Sequence, residues 1–201
     1  MPGEQLLKAL DHAWKALTPM NMPMAVMGGI AISVWQHARS TRDVDILIQL
    51  APSDTVEIVR VLGEAGIHPR LFQPLLNLDQ QQALMMFFQP PGAFFDIKID
   101  LLFAELEFQK QALTRRVPVT LPGVESSIFV LSCEDLILHK LLAGRIIDKA
   151  DCAFLVRVNR KEMDFDYLQK WMEHLSLMDK WLEIWREAFP GEESVMPRTP
   201  P

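Results

Sequence analysis

Cysteine is nearly absent from this 201-residue chain: only Cys133 and Cys152 occur, and they form no Cys-x-x-Cys pair. That spacing excludes a zinc ribbon and a dithiol redox motif, so the expectation is two reduced, packed thiols. Long apolar runs are missing too. No stretch approaches the roughly 20 residues a membrane-spanning helix needs. The N-terminus, MPGEQLLKALDHAWKAL, carries charges throughout and has no apolar h-region, which argues against a signal peptide and makes the cytoplasm the expected location. No internal repeat or low-complexity tract occurs. His-x-x-x-His and His-Glu-x-x-His are absent, so His37 and His139 read as structural rather than metal-bound. Positive charge is also in deficit, the net charge being −6. A long nucleic acid favours a basic surface, so the balance leans toward a small anionic ligand in a local basic pocket. Basic residues do collect at Arg39 and Arg42, at Arg115 and Arg116, and from Lys140 to Lys161; such a cluster could still hold a nucleic-acid end. The eleven methionines read as core filler.

Against these absences stands an ordinary globular pattern, about half apolar and a quarter charged, on a chain long enough to bury its own core. Residues 4–18 place Leu6, Leu7, Leu10, Trp14 and Leu17 at helical spacing. Met24–Met27 reads as a strand, Gly28-Gly29 turns into a helix from Ile30 to about His37, and 43–49 is the next strand. Pro52-Ser53 signals a helix start and Gly66 its end. Residues 83–89 and 94–103 flank a Pro-Gly turn and read as a hairpin. A helix is expected at 105–113. Two short strands follow in RRVPVTLPG and SSIFVLS, the first at an edge because of Pro118. From Ser132 on, the chain reads as helical: Ser132 and Asp135 form a capping box, with helices at 133–144, 147–158, 164–175 and 179–189. The Trp171, Trp181 and Trp185 stripe is expected to pack between them. The expected class is α+β: a mixed sheet flanked by helices, with a core at 1–131, a helical region at 132–190 packed on it, and a frayed tail at 191–201.

Asp43 and Asp45 stand two apart in the apolar strand DVDILI. In a strand, residues i and i+2 share a face, about 6.6–6.8 Å apart. Two divalent cations about 3.5–4 Å apart fit beside such groups, and oxygen donors suit Mg²⁺ or Mn²⁺ rather than Zn²⁺. A third acid is expected from the hairpin strand, where Asp96 and Asp100 share a face; Asp100, set in KIDLLF, is favoured. The plain alternative for Asp-x-Asp is a solvated strand face, but the apolar context makes unpaired carboxylates costly. Gly28-Gly29 opening a helix can bring a phosphate close to backbone N–H groups; the plain alternative is a tight turn. It is neither a Walker loop nor a Gly-x-Gly-x-x-Gly motif.

Gly-Gly opening a helix, then Asp-x-Asp on the next strand, then a later apolar-Asp-apolar strand, is the order of the nucleotidyltransferase superfamily built on the DNA polymerase beta palm. The chain resembles it over roughly residues 24–158, and within it the small bacterial AbiEii-type nucleotidyltransferases, whose string is matched by Gly28, Gly29, Ala31, Arg39, Thr41, Asp43 and Asp45. The resemblance implies Mg²⁺-dependent (or Mn²⁺-dependent) transfer of a nucleoside monophosphate from an NTP such as ATP to an acceptor, releasing pyrophosphate. The acceptor would be a tRNA, a protein hydroxyl or a small molecule. It implies Asp43, Asp45 and Asp100 as metal ligands and catalytic groups, and Gly28, Gly29, Arg39, Arg42 and Lys140 around the triphosphate. Exposed loop cations are the plain reading of Arg39 and Arg42, and a snorkelling surface lysine that of Lys140. Asp148 is expected to pair with Arg145. Many members carry Ser directly after the glycines; here Ile30 stands there. That departure keeps a second reading open, a nucleotide-binding or toxin–antitoxin module without turnover and with a cognate antitoxin as partner. A metal-dependent nuclease on the same acids is the third.

Overall fold

The computed structural model describes residues 3–37, 39–50, 54–78 and 81–196. They divide into two compact units, one of residues 3–33 and 39–131, the other of 34–37 and 132–196.

The first unit is built on a mixed sheet of seven strands among the described residues, in the order β3-β4-β5-β2-β1-β7-β6. The strands are β1 (Met24–Met27), β2 (Asp43–Ile48), β3 (Leu75–Leu78), β4 (Gln81–Phe88), β5 (Ile97–Phe103), β6 (Val117–Val119) and β7 (Ile128–Val130). β1 runs antiparallel to β2, β2 parallel to β5, and β1 parallel to β7. The central strands read as apolar runs because they are covered: Ala25, Val26, Val44, Ile46, Leu47, Ile48, Ile99 and Leu101 are all fully buried. Helix α1 (Glu4–Leu17) turns Leu6, Leu10, Trp14 and Leu17 onto one buried face and packs on β2, β5 and α3 (Thr55–Glu64). Helix α2 (Gly28–Val34) follows β1 without a linker, starting at the glycines rather than at Ile30. Helix α4 (Glu107–Thr114) precedes β6, which holds Pro118 at the sheet edge as expected.

The hairpin forms between β4 and β5, but β5 begins three residues later than expected. Phe94 and Phe95 lie in the turn with more than four-fifths of their surface exposed. β3 was not foreseen: LLNL is too short to show alternation, and its place is set by pairing with β4. The helix signal at Pro52-Ser53 falls outside the described residues.

The second unit holds α5 (Cys133–Ala143), α6 (Ile146–Asn159), α7 (Phe165–His174) and α8 (Met178–Ala188). The capping box forms: Ser132 Oγ accepts from Asp135 N and donates to the Asp135 carboxylate at 2.8 Å. Trp181 and Trp185 are buried on α8 with their rings tilted 46° to each other, 5.6 Å between centroids, and Phe165 is edge-on to both. The tail is tied in further than its composition suggests. Ser194 Oγ accepts from Trp181 Nε1 at 3.1 Å, and Met196 is fully buried. No helix among the described residues is long and apolar enough to cross a membrane.

Candidate active site

The alternation of β2 puts Val44 and Ile46 in the core and leaves Asp43 and Asp45 together on the other side, both partly exposed. The parallel ladder with β5 then decides what they face. Asp43 pairs with Lys98, and Asp45 pairs with Asp100. Since Lys98 and Asp100 are also two apart, all four side chains project from one face of two adjacent strands. The antiparallel ladder with β1 sets Met27 opposite Asp45, so the Gly-Gly pair follows directly beside the carboxylates.

Both glycines are dictated by what they touch. Gly28 has φ +62°, and a Cβ there would lie 1.9 Å from Asp45 Oδ2. A Cβ on Gly29 would come within 2.5 Å of the Thr41 side chain. The sequence string of two glycines, a threonine and two aspartates is therefore a packing relation: Gly28 makes room for Asp45, and Gly29 for Thr41.

Lys98 was not singled out in the sequence. Its Nζ lies 2.6 Å from Asp100 Oδ2 and 3.2 Å from Asp43 Oδ2. Burial raises the Asp100 carboxyl above the usual range; Lys98 opposes that shift and Asp43 adds to it. Burial pulls the Lys98 ammonium down, but its bonds to Asp100 and Asp43 outweigh this and raise its pKa. The one available signal was the Lys-x-Asp spacing in IKID, which places an ammonium on the carboxylate face. Asp96, the other acid weighed, is paired with Arg70.

Three carboxylates, with no thiolate or imidazole among their ladder partners, make a hard oxygen donor set, which fits Mg²⁺ or Mn²⁺. The side-chain-free wall at Gly28 leaves the Asp45 carboxylate room at that face. The two contacts of Lys98 hold Asp43 and Asp100 oxygens within about 6 Å, a span that divalent cations can bridge. As the side chains stand, no three His, Cys, Asp or Glu groups among the described residues close into a metal cluster, and the Lys98 ammonium contacts both Asp43 and Asp100. The donor chemistry of these carboxylates suits an oxygen-ligated divalent cation.

A family model described as "Nucleotidyltransferase of unknown function (DUF6036)" matches residues 5–187. The chain belongs to this family. Among solved structures, the DUF6036 chain is similar to an antigenic nucleotidyltransferase-like protein from Paracoccidioides brasiliensis, at 16% identity, covering 92% of each chain with a TM-score of 0.54. It is similar to a putative nucleotidyltransferase from Thermotoga maritima, at 18% identity, covering 87% of this chain and 96% of that one, TM-score 0.53. It is also similar to ANT(2″)-Ia, solved in complex with adenylyl-2″-tobramycin, at 11% identity, covering 87% and 98%, TM-score 0.55. These likenesses show the nucleotidyltransferase α+β fold. No curated protein matches the sequence.

The remaining expected residues of the DUF6036 chain divide between the two units. Arg39 and Arg42 lie in the segment leading into β2; Arg39 Nη1 donates to Ser40 O at 3.1 Å, and Arg42 is exposed. Ile30 is buried in the core, and Ser33 Oγ donates back to Gly29 O at 3.0 Å. Lys140 belongs to the second unit and is not a surface lysine. It is buried, with Nζ 2.7 Å from Asp148 Oδ1 and 2.8 Å from Asp151 Oδ2. Asp148 also takes the expected bond from Arg145, 2.7 Å from Nε. Both cations reach one carboxylate because α5 ends at Gly144, φ +66°. Burial works to raise the Asp148 carboxyl, but the bonds from Arg145 and Lys140 prevail and hold it below the usual range. His37 stacks on Phe154 at 4.0 Å with Nε2 3.3 Å from Asp151 Oδ1, and His139 Nδ1 lies 2.8 Å from Asp135 O. A cavity of about 470 Å³ lined by Trp14, Arg116, Ser127 and Phe129 lies beside Met24, at the end of β1 away from the carboxylates.

Proposed function

We propose that the chain transfers a nucleoside monophosphate from an NTP to an acceptor hydroxyl, with Asp43, Asp45 and Asp100 as the ligands of Mg²⁺ or Mn²⁺. The observation that carries this reading is the pairing of Asp45 with Asp100 across the β2–β5 ladder, with Gly28 against the Asp45 carboxylate. A bound divalent cation supplies charge neutralisation at the phosphates and lowers the pKa of the attacking hydroxyl.

The protein's own groups do the rest by placement. Asp43 and Asp45 are fixed by β2 and cannot spread apart without breaking its ladder. Asp100, 17% exposed against 41% for Asp43, has a raised pKa and is the group suited to take the acceptor proton. Gly28 makes room for the Asp45 carboxylate and Gly29 for Thr41; the backbone N–H groups at the start of α2 are those the resemblance sets against the phosphates. Arg39 and Arg42, entering β2, are the cations set to meet the triphosphate. The expectation that Lys140 meets a phosphate rests on the resemblance; within its own unit its ammonium is bonded to Asp148 and Asp151.

The test is label transfer. With α-labelled NTPs, Mg²⁺ or Mn²⁺, and tRNA, protein or aminoglycoside offered as acceptor, the wild type transfers label and Asp100→Asn does not. Absence of transfer to every acceptor, with no NTP-induced thermal shift, overturns the proposal. One observation favours a second reading. Ile30 is buried and Ser33 is bonded to its own helix, so the hydroxyl many relatives place beside the phosphates is missing. A nucleotide-binding or toxin–antitoxin module without turnover would retain NTP or partner binding in Asp43→Ala and Asp45→Ala.

A further inference from the structure

The carboxylate face is not balanced by symmetry. One row of the β2–β5 ladder pairs an acid with a base, Asp43 with Lys98; the next pairs two acids, Asp45 with Asp100. Like charges directly opposite on a sheet repel. Lys98 spans the rows diagonally, bonding the acid opposite it and the acid two residues along its own strand.

We propose that Lys98 is a displaceable internal counter-ion that sets the metal affinity of this site and couples metal binding to nucleotide binding. The inference rests on the nucleotidyltransferase reading. Lys98 Nζ and a divalent cation compete for the same oxygens, Asp43 Oδ2 and Asp100 Oδ2. A cation cannot bridge these acids while an ammonium lies 2.6 Å and 3.2 Å from them. Lysine suits the exchange: its ammonium is a point charge on a flexible four-carbon stem and can turn away without moving β5. A metal–NTP complex offers both halves of the swap, cations for the carboxylates and phosphate oxygens for the freed ammonium. A metal ion alone offers only the first and leaves Lys98 without a partner. Lys98 therefore weakens metal binding in the absence of nucleotide and strengthens its dependence on nucleotide. Linkage requires the converse as well: metal raises nucleotide affinity by the same factor.

The experiment is Mn²⁺ binding followed by electron paramagnetic resonance of the free ion, with and without a non-hydrolysable ATP analogue. It compares wild type, Lys98→Met, Lys98→Gln, Lys98→Arg and Asp45→Asn, each first shown to be folded by circular dichroism. An ammonium that must first be displaced from both carboxylates lowers the apparent metal affinity, and a tenfold change is about 1.4 kcal/mol. Lys98→Met and Lys98→Gln should bind Mn²⁺ alone about tenfold more tightly than wild type, and the analogue should raise their Mn²⁺ affinity by a smaller factor than in wild type. Lys98→Arg, which keeps the charge, should stay close to wild type in metal affinity. Equal or weaker Mn²⁺ binding in both neutral variants overturns the inference, as does an unchanged response to the analogue. If Asp45→Asn abolishes Mn²⁺ binding while the neutral Lys98 variants match wild type, the metal site of the proposed function survives and this inference alone falls. If wild type takes up no Mn²⁺ with or without the analogue, both fall.

Discussion

Gly28→Ala tests the geometry of the site at its tightest point. Two costs are expected. The backbone at Gly28 has φ +62°, a region that costs an L-residue about 1–2 kcal/mol. The new methyl would also lie 1.9 Å from Asp45 Oδ2 and 2.8 Å from its Cγ, so the carboxylate must move. Overpacking of this kind costs about 1–3 kcal/mol. The first cost can be measured alone. Gly66, just past the C-terminal end of α3, has φ +75° and nothing within 4 Å of where a Cβ would stand. Gly66→Ala therefore carries only the conformational cost. Gly28→Ala should be less stable than Gly66→Ala by about 1–3 kcal/mol. In a chain of this size that is a gap of roughly 2–12 °C in melting temperature.

The assay is thermal or urea unfolding of the two variants beside wild type, followed by Mn²⁺ titration. Gly66→Ala should retain wild-type Mn²⁺ affinity, and Gly28→Ala should lose it, because Asp45 is the group displaced. Equal melting temperatures for the two variants, or unaltered Mn²⁺ binding in Gly28→Ala, would refute the reasoning: Asp45 would not lie where the glycine makes room for it.

Lys140→Met removes one ammonium from two buried carboxylates and should cost about 3–5 kcal/mol in urea unfolding, with Asp148→Asn in the same background recovering part of the loss. His139 is buried and its pKa is lowered to about 4. As pH falls below about 6.5 the unfolded chain takes a proton that the folded one refuses, so stability should decline by about 3 kcal/mol between pH 6.5 and 4. Asp148, held low, adds a loss in the same direction at still lower pH. His139→Gln should flatten the upper part of a stability–pH curve, and an unchanged curve would refute the assignment. Burial pushes the Cys133 and Cys152 thiols up, so neither should react with Ellman's reagent at pH 8 until denaturant is added.

What was legible in the chain is what depends on local periodicity. Asp43 and Asp45 stand out because a strand alternates with period two and the rest of DVDILI is apolar. Asp100 stands out for the same reason in IKIDLLF. Their meeting is a tertiary fact: the ladder that sets Asp45 opposite Asp100 joins segments 55 residues apart and parallel, which no turn residue announces. Phe94 and Phe95 were misleading because apolarity was taken for burial; the turn after Pro90 runs on through them, and both are exposed. Lys140 misleads in the other direction. Every residue from Cys133 to Leu141 is buried, so α5 offers a lysine no exposed face to snorkel along, and its partners wait beyond the break at Gly144. The pairing of Asp148 with Arg145 was visible from their spacing; the buried lysine that joins Asp148 to Asp151 was not.

The four-residue face of β2 and β5 also explains why a fold would tolerate such a site. Three carboxylates and one ammonium leave an excess of negative charge on two central strands, one acid pair directly opposed. The arrangement persists because the surrounding ladder is apolar and covered, so Val44, Ile46, Ile99 and Leu101 fix the register regardless of what the carboxylates prefer. Register in turn fixes which side chains share the carboxylate face. A one-residue slip of β5 would send Asp100 and Lys98 to the opposite face and bring Ile99 against Asp45. The same apolar residues that hold the core together therefore hold the acids in place, and Lys98, bonded to Asp43 and Asp100, offsets part of their repulsion.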